Sequence, residues 1–148
     1  MSQCIFIAAD TPLPEVTPPQ DYPLHIDLDA GTIFDGGADD NYFLLPFDEV
    51  DLYCEKKYGV YLELPQFTKG RAEQMIAYIR TALMQADSVE IWNVWLSGYW
   101  EFDDRPHICK RTVPIDELTA EDITEIVQAE NWDNKDKNRP WFYCLEII

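Results

Sequence analysis

Between residues 67 and 86, Ala72, Met75, Ile76, Ile79, Leu83 and Ala86 recur at i, i+3, i+4 and i+7. That spacing puts one apolar stripe along an α-helix. Thr68 stands where its hydroxyl can accept from an unpaired N–H of the first turn, and Asp87-Ser88 stops the helix. Residues 89–96, Val-Glu-Ile-Trp-Asn-Val-Trp-Leu, follow. They hold too many large apolar side chains for a strand with one wet face, so both faces are expected to be covered.

Around this helix–strand pair the pattern predicts further elements. Residues 4–9 read as a short strand. Residues 11–23 carry half of the chain's ten prolines and must be extended or turning, because each proline lacks an N–H and biases its predecessor away from helix. Residues 24–29 alternate with period two, so Leu24, Ile26 and Leu28 share one face and His25, Asp27 and Asp29 the other. Residues 30–41, rich in glycine and carboxylates, read as a loop, and residues 42–47 as a strand. Residues 50–54 and 60–64 suggest a hairpin turning through 55–59, with Gly59 as its left-handed residue.

The strand from Val89 is expected to run past a bulge at Gly98 to about Phe102. A turn at 103–106 would then set Trp100 near Cys109 and Phe102 near His107. Residues 107–113 form the return strand. A second helix starts at Thr119, with Asp122 at the capping-box position and Leu118 stapled onto Ile123. Its apolar face is Ile123, Ile126 and Val127, and residues 141–148 read as a last strand. The expected fold is α+β, an antiparallel or mixed sheet with two helices packed on one face, in one domain over residues 1–148.

Charge changes the picture more than composition does. The net charge is −17, and residues 1–55 hold twelve Asp and Glu without one Lys or Arg. Such a field repels nucleic acid and anionic membranes and attracts cations or a basic protein. The stretch after Met1 has no basic lead and too short an apolar run for a secretory signal, and no apolar run is long enough to span a bilayer. A cytoplasmic location follows as the expectation. Cys4, Cys54, Cys109 and Cys144 are widely spaced, with no C-x-x-C pair. They are expected as reduced, buried thiols rather than metal ligands or bridges.

Candidate chemistry is sparse. The acidic stretch holding Asp27, Asp29, Asp35, Asp39 and Asp40 begins like a calcium loop, but residues 30–34 add no carboxylate and the ligand spacing is not restored. Turn formation is the commoner reason for such a composition. Neither histidine sits in a nucleophile–base pattern, and no glycine-rich loop has phosphate-binding spacing. Neither a metal nor a cofactor is expected. Lys69 and Arg71 at the start of the first helix could hold an anion beside its free N–H groups, or pair with the chain's own carboxylates.

As a class, a small, strongly acidic α+β chain without a cofactor resembles immunity proteins, which neutralise a basic nuclease toxin. The resemblance implies a protein-binding module with a basic protein partner. Its steering charges would be Asp27, Asp29, Asp35, Asp39 and Asp40. The alternative is an enzyme acting on a cationic or metal-bound small substrate in a carboxylate-lined cleft.

Overall fold

The computed structural model describes residues 3–95, 107–129 and 141–148. Among these residues eight strands and two α-helices follow in order: β1 (Gln3–Ala9), β2 (His25–Asp27), β3 (Thr32–Phe34), β4 (Phe43–Pro46), β5 (Tyr58–Glu63), α1 (Lys69–Ala82), β6 (Val89–Trp95), β7 (His107–Val113), α2 (Ala120–Gln128) and β8 (Trp141–Ile147). Six strands form one sheet in the order β4-β5-β1-β6-β8-β7, while β2 and β3 pair separately as a hairpin. Only β7 and β8 run parallel; the other neighbours in the large sheet are antiparallel. The fold is α+β with a mixed sheet.

Both crossovers explain where the helices go. β5 and β6 flank β1, each antiparallel to it, so they are parallel to one another and α1 joins them. α2 joins β7 to β8 in the same manner, since parallel strands need a crossover rather than a tight turn. Ala72, Met75 and Ile79 of α1 and Ile123 and Ile126 of α2 bury against Ile7, Val60, Ile91, Leu145 and Ile147. Thr68 caps α1 by accepting from Arg71 N at 3.1 Å. In α2, Thr119 and Asp122 form the full reciprocal capping box. The local signals and the tertiary packing therefore agree at both helix starts.

The opposite face of the sheet has its own core. Phe6, Trp92 and Phe142 are covered there by Phe47, Val50 and Tyr53. Phe6 lies at the centre, with ring centroids 4.6 Å from Phe47, 5.9 Å from Tyr53 and 6.2 Å from Trp92. With both faces covered, β6 is buried from Val89 through Val94. Its polar exceptions are satisfied. Asn93 Nδ2 donates to the Ile126 and Ala129 carbonyls at 2.9 Å each, closing the C-terminal end of α2, and Gln3 donates to Asn93 Oδ1 at 2.8 Å.

Three expectations change. Residues 50–52 form a 3-10 turn rather than a strand, and the hairpin is β4–β5 instead, with Leu44 opposite Leu62. Gly59 lies inside β5 without a positive φ; a Cβ there would press on Val50 at 3.2 Å, so glycine serves the close approach of the 3-10 turn. The stretch read as loop 30–41 contains β3, which pairs with β2. The continuation of β6, its bulge and the turn at 103–106 lie outside the described residues.

The proline-rich segment reaches the sheet at one point. Val16 and Leu44 exchange backbone hydrogen bonds of 3.0 and 2.9 Å along the outer edge of β4. Prolines on both sides prevent that pairing from lengthening into a strand.

Candidate partner-binding surface

The acidic stretch and the start of α1, far apart in sequence, meet in space. Arg71 points into the loop that follows β3. Its guanidinium lies 2.8 Å from Asp35 Oδ2 and donates to the Ala38 carbonyl at 2.9 Å and to the Gln66 carbonyl. Both partners are buried, at 1% exposure for Arg71 and 2% for Asp35. Asp35 Oδ1 accepts from Gly37 N at 3.0 Å, while Oδ2 approaches Arg71 without hydrogen-bond alignment. Burial alone would raise the Asp35 pKa, but the Gly37 N–H and the guanidinium outweigh it and hold the carboxyl below its usual range.

Asp39 completes this latch. It accepts from Thr68 Oγ1 at 2.8 Å and lies against the Cα of Gly70, where a Cβ would overlap its carboxylate. A carboxylate over the first turn is favoured by the free N–H groups there and by the helix dipole. Asp40 accepts from Tyr22 Oη at 3.0 Å, and Asn41 Nδ2 donates to the Asp35 carbonyl at 2.8 Å. The anion beside Arg71 is therefore the chain's own. Arg71 is withdrawn from any external ligand, and only Lys69 of the expected pair is exposed. Asp35 likewise leaves the set of surface charges because it is buried in the latch.

Asp27 and Asp29 behave differently. Both are exposed. Asp27 Oδ1 accepts from the N–H of Asp29 and of Ala30 at 3.1 Å each, shaping the four-residue turn between β2 and β3, and Gly31 closes that turn at positive φ. Every residue of β2 and β3 is exposed on both faces. Leu24, Ile26, Leu28, Ile33 and Phe34 all face solvent, Leu28 at 89%. Ile26 lies directly opposite Ile33, so the two share a face, while His25 and Phe34 stack at 6.3 Å on the other. Alternation in 24–29 put Leu24, Ile26 and Leu28 on one face, and such a pattern is ordinarily that of a half-buried strand. Instead the apolar residues are exposed, with no described layer over them, and that patch is what the sequence reading missed. The signal was present in Ile33-Phe34 following Gly31, a second short apolar run one turn after the first.

A second convergence of ionisable groups is on the aromatic face. Glu90, 5% exposed, accepts from Trp92 Nε1 at 3.0 Å and lies opposite Glu146 in the ladder. Lys110 Nζ is 3.6 Å from Glu90 and 3.5 Å from Glu146. Burial pushes the thiols nearby upward: Cys54 to about 11, with Cys144 still higher. Protonated thiols beside a carboxylate pair bridged by one lysine form a structural cluster, not an activated nucleophile. Cys4 and Cys144 are buried, Cys54 and Cys109 half-buried, and all four are free thiols; Cys54 lies after the 3-10 turn rather than in a strand. Among the described residues, His, Cys, Asp and Glu do not gather in threes that could hold a metal, and no helix is long and apolar enough to cross a membrane.

Comparison with protein-family models, with curated proteins and with solved structures finds no match for this chain.

Proposed function

We propose that this chain is a protein-binding module for a basic protein partner, acting as immunity proteins do when they neutralise a basic toxin. One observation carries the reading: the 24–34 hairpin presents five large apolar side chains to solvent within a 55-residue segment whose only full charges are acidic. Scattered exposed apolar residues are ordinary, but a contiguous set on one projecting element marks an interaction surface. The acids around it favour a partner of opposite charge and steer its approach. The carboxylates beside Lys110 share that one lysine and sit beside thiols that burial keeps protonated, and among the described residues the enzymatic alternative has no feature comparable to the hairpin.

The test neutralises the exposed hairpin acids Asp27 and Asp29 and the half-buried Asp40, whose amide replacement can still accept from Tyr22 Oη. Asp27→Asn, Asp29→Asn and Asp40→Asn together keep shape and turn propensity while removing three charges. After the partner is captured at low salt and purified, association with the variant is expected to slow about tenfold, with a flatter dependence on ionic strength. The dissociation rate should hardly change. Glu121→Gln with Glu125→Gln on α2 is the control; Asp122 is spared because it caps the helix. Unchanged association rate and salt slope in the triple variant would overturn the reading.

A further inference from the structure

The hairpin is an unusual object to leave uncovered. Among the described residues no sheet lies behind this two-stranded ribbon, and such a ribbon alone is at best marginally stable in water, yet here its base is tied down on both sides. Tyr22, just before β2, donates to Asp40. Just after β3, Asp35 is held by Arg71 and Asp39 by Thr68. Internal bonds thus fix the position of an element that contributes no side chain to either core. Fixing a binding element before contact removes part of the ordering cost of association.

We infer that the hairpin is the docking element itself: the Leu24, Ile26, Leu28 and Ile33 side chains insert into an apolar cleft of the partner, and Lys or Arg side chains rim that cleft. This rests on the basic-partner reading above and assigns the anchoring residues within it. Charge decides the occupant. The hairpin carries Asp27 and Asp29, and its segment bears no positive side chain. A second copy would bring those acids against their equivalents, and an anionic lipid surface would repel them. A basic-rimmed cleft accepts both features, the apolar face inside and the carboxylates at the rim. Two kinetic roles then separate. The acids govern the rate of encounter, while the apolar side chains govern how long the complex lasts.

A photo-reactive probe tests the placement. p-Benzoylphenylalanine is put at Leu28 and, as a control of nearly equal exposure, at Met84, 89% against 83%. Irradiation in extract of the native source should give one discrete adduct from position 28 and none from position 84. The cross-linked protein, identified by mass spectrometry, should carry a net positive charge. The adduct should vanish in an Ile26→Ser, Ile33→Ser background with every acid intact. That double variant should keep the parent's thermal midpoint, because both residues are mostly exposed. With the purified partner it should dissociate at least about thirtyfold faster, at nearly the parent's association rate.

Each other outcome overturns a distinct part. An adduct of twice the chain's mass replaces the basic protein by a second copy. An adduct with an acidic protein removes the basic partner and with it the proposed function. A silent position 28, in a chain whose acid-to-amide variant still loses association rate, removes the hairpin as anchor and leaves the basic-partner reading standing.

Discussion

Replacing Arg71 by methionine would leave the Asp35 carboxylate buried with the Gly37 N–H as its remaining partner. Breaking one side of a buried ion pair costs roughly 3–5 kcal/mol, chiefly because the surviving charge stays desolvated. Arg71→Met also strands the Ala38 and Gln66 carbonyls. Against that, the Asp35 Oδ2 contact is not aligned as a hydrogen bond and Arg71 Nε lacks one. The lower end, about 3 kcal/mol at pH 7, is therefore expected. Urea titration with an m-value of about 2 kcal/mol/M would show this as a midpoint lowered by about 1.5 M. The pH dependence separates charge from packing. Asp35 has a depressed folded pKa, so its stabilisation is full above the unfolded value near 3.9 and is lost as pH falls through the folded one. In the variant the guanidinium no longer helps the Gly37 N–H to oppose burial, so the Asp35 pKa rises relative to the parent and protonation relieves the buried charge sooner. The gap between parent and variant should thus be smaller at pH 3 than at pH 7. Asp122, which is also depressed once the Thr119 N–H and Arg111 outweigh its burial, titrates in both proteins and cancels. A loss under about 1 kcal/mol at pH 7, or an equal gap at both pH values, would refute the account.

Ile79→Asp should abolish cooperative unfolding, since a fully buried position would receive an unpaired charge worth several kcal/mol against a total of roughly 5–15. Arg80→Asp, where the native side chain is exposed and 4.0 Å from an exposed Asp116, should cost under about 1 kcal/mol; similar thermal shifts for the two would sink the assignment of the helix face. Gly70→Ala should expel Asp39 from the start of α1 and lower the melting temperature. In an Asp39→Ser background the same change should stabilise by up to about 1 kcal/mol through helix propensity, and calorimetry of the four proteins decides. Cys4 and Cys54, both pushed to about 11 chiefly by burial, should be about 0.1% thiolate at pH 8 and react with Ellman's reagent only slowly. Rapid labelling of both in the native protein would contradict their burial.

Helix and strand placement was legible where a local signal and a tertiary demand coincide. The α1 stripe, the Thr68 and Thr119 caps and the two-faced β6 each carry their reason within a few residues, and neighbours in space only reinforce it. The errors share one cause, that burial is a property of the whole fold. Residues 50–54 hold strand-forming residues, but 50–52 curl into a 3-10 turn that lays Phe47, Val50 and Tyr53 over Phe6. Leu24-His25-Ile26-Asp27 alternates as a half-buried strand would, yet no described layer covers it. The latch between Asp35 and Arg71 was beyond reading as a pair, because a surplus of carboxylates makes any one partner for a given arginine uninformative until the chain is folded. The alternative of internal pairing was visible, and Arg71 takes it.

Placing β1 between β5 and β6 has a consequence for how the molecule is made. Gln3 bonds to Asn93 across 90 residues, and β1 cannot complete either ladder until β5 and then β6 have been synthesised. By contrast β7, α2 and β8 follow one another in the chain and pair locally. The entropy of closing the long loop must be met before the central contacts repay it. Topologies dominated by such distant pairs fold slowly. While it waits, the Cys-Ile-Phe-Ile-Ala-Ala stretch of β1 is an apolar, uncharged strand with both edges open, which is the composition most prone to pair with another chain. The strand that becomes the middle of the finished sheet is therefore, during synthesis, its most exposed hazard.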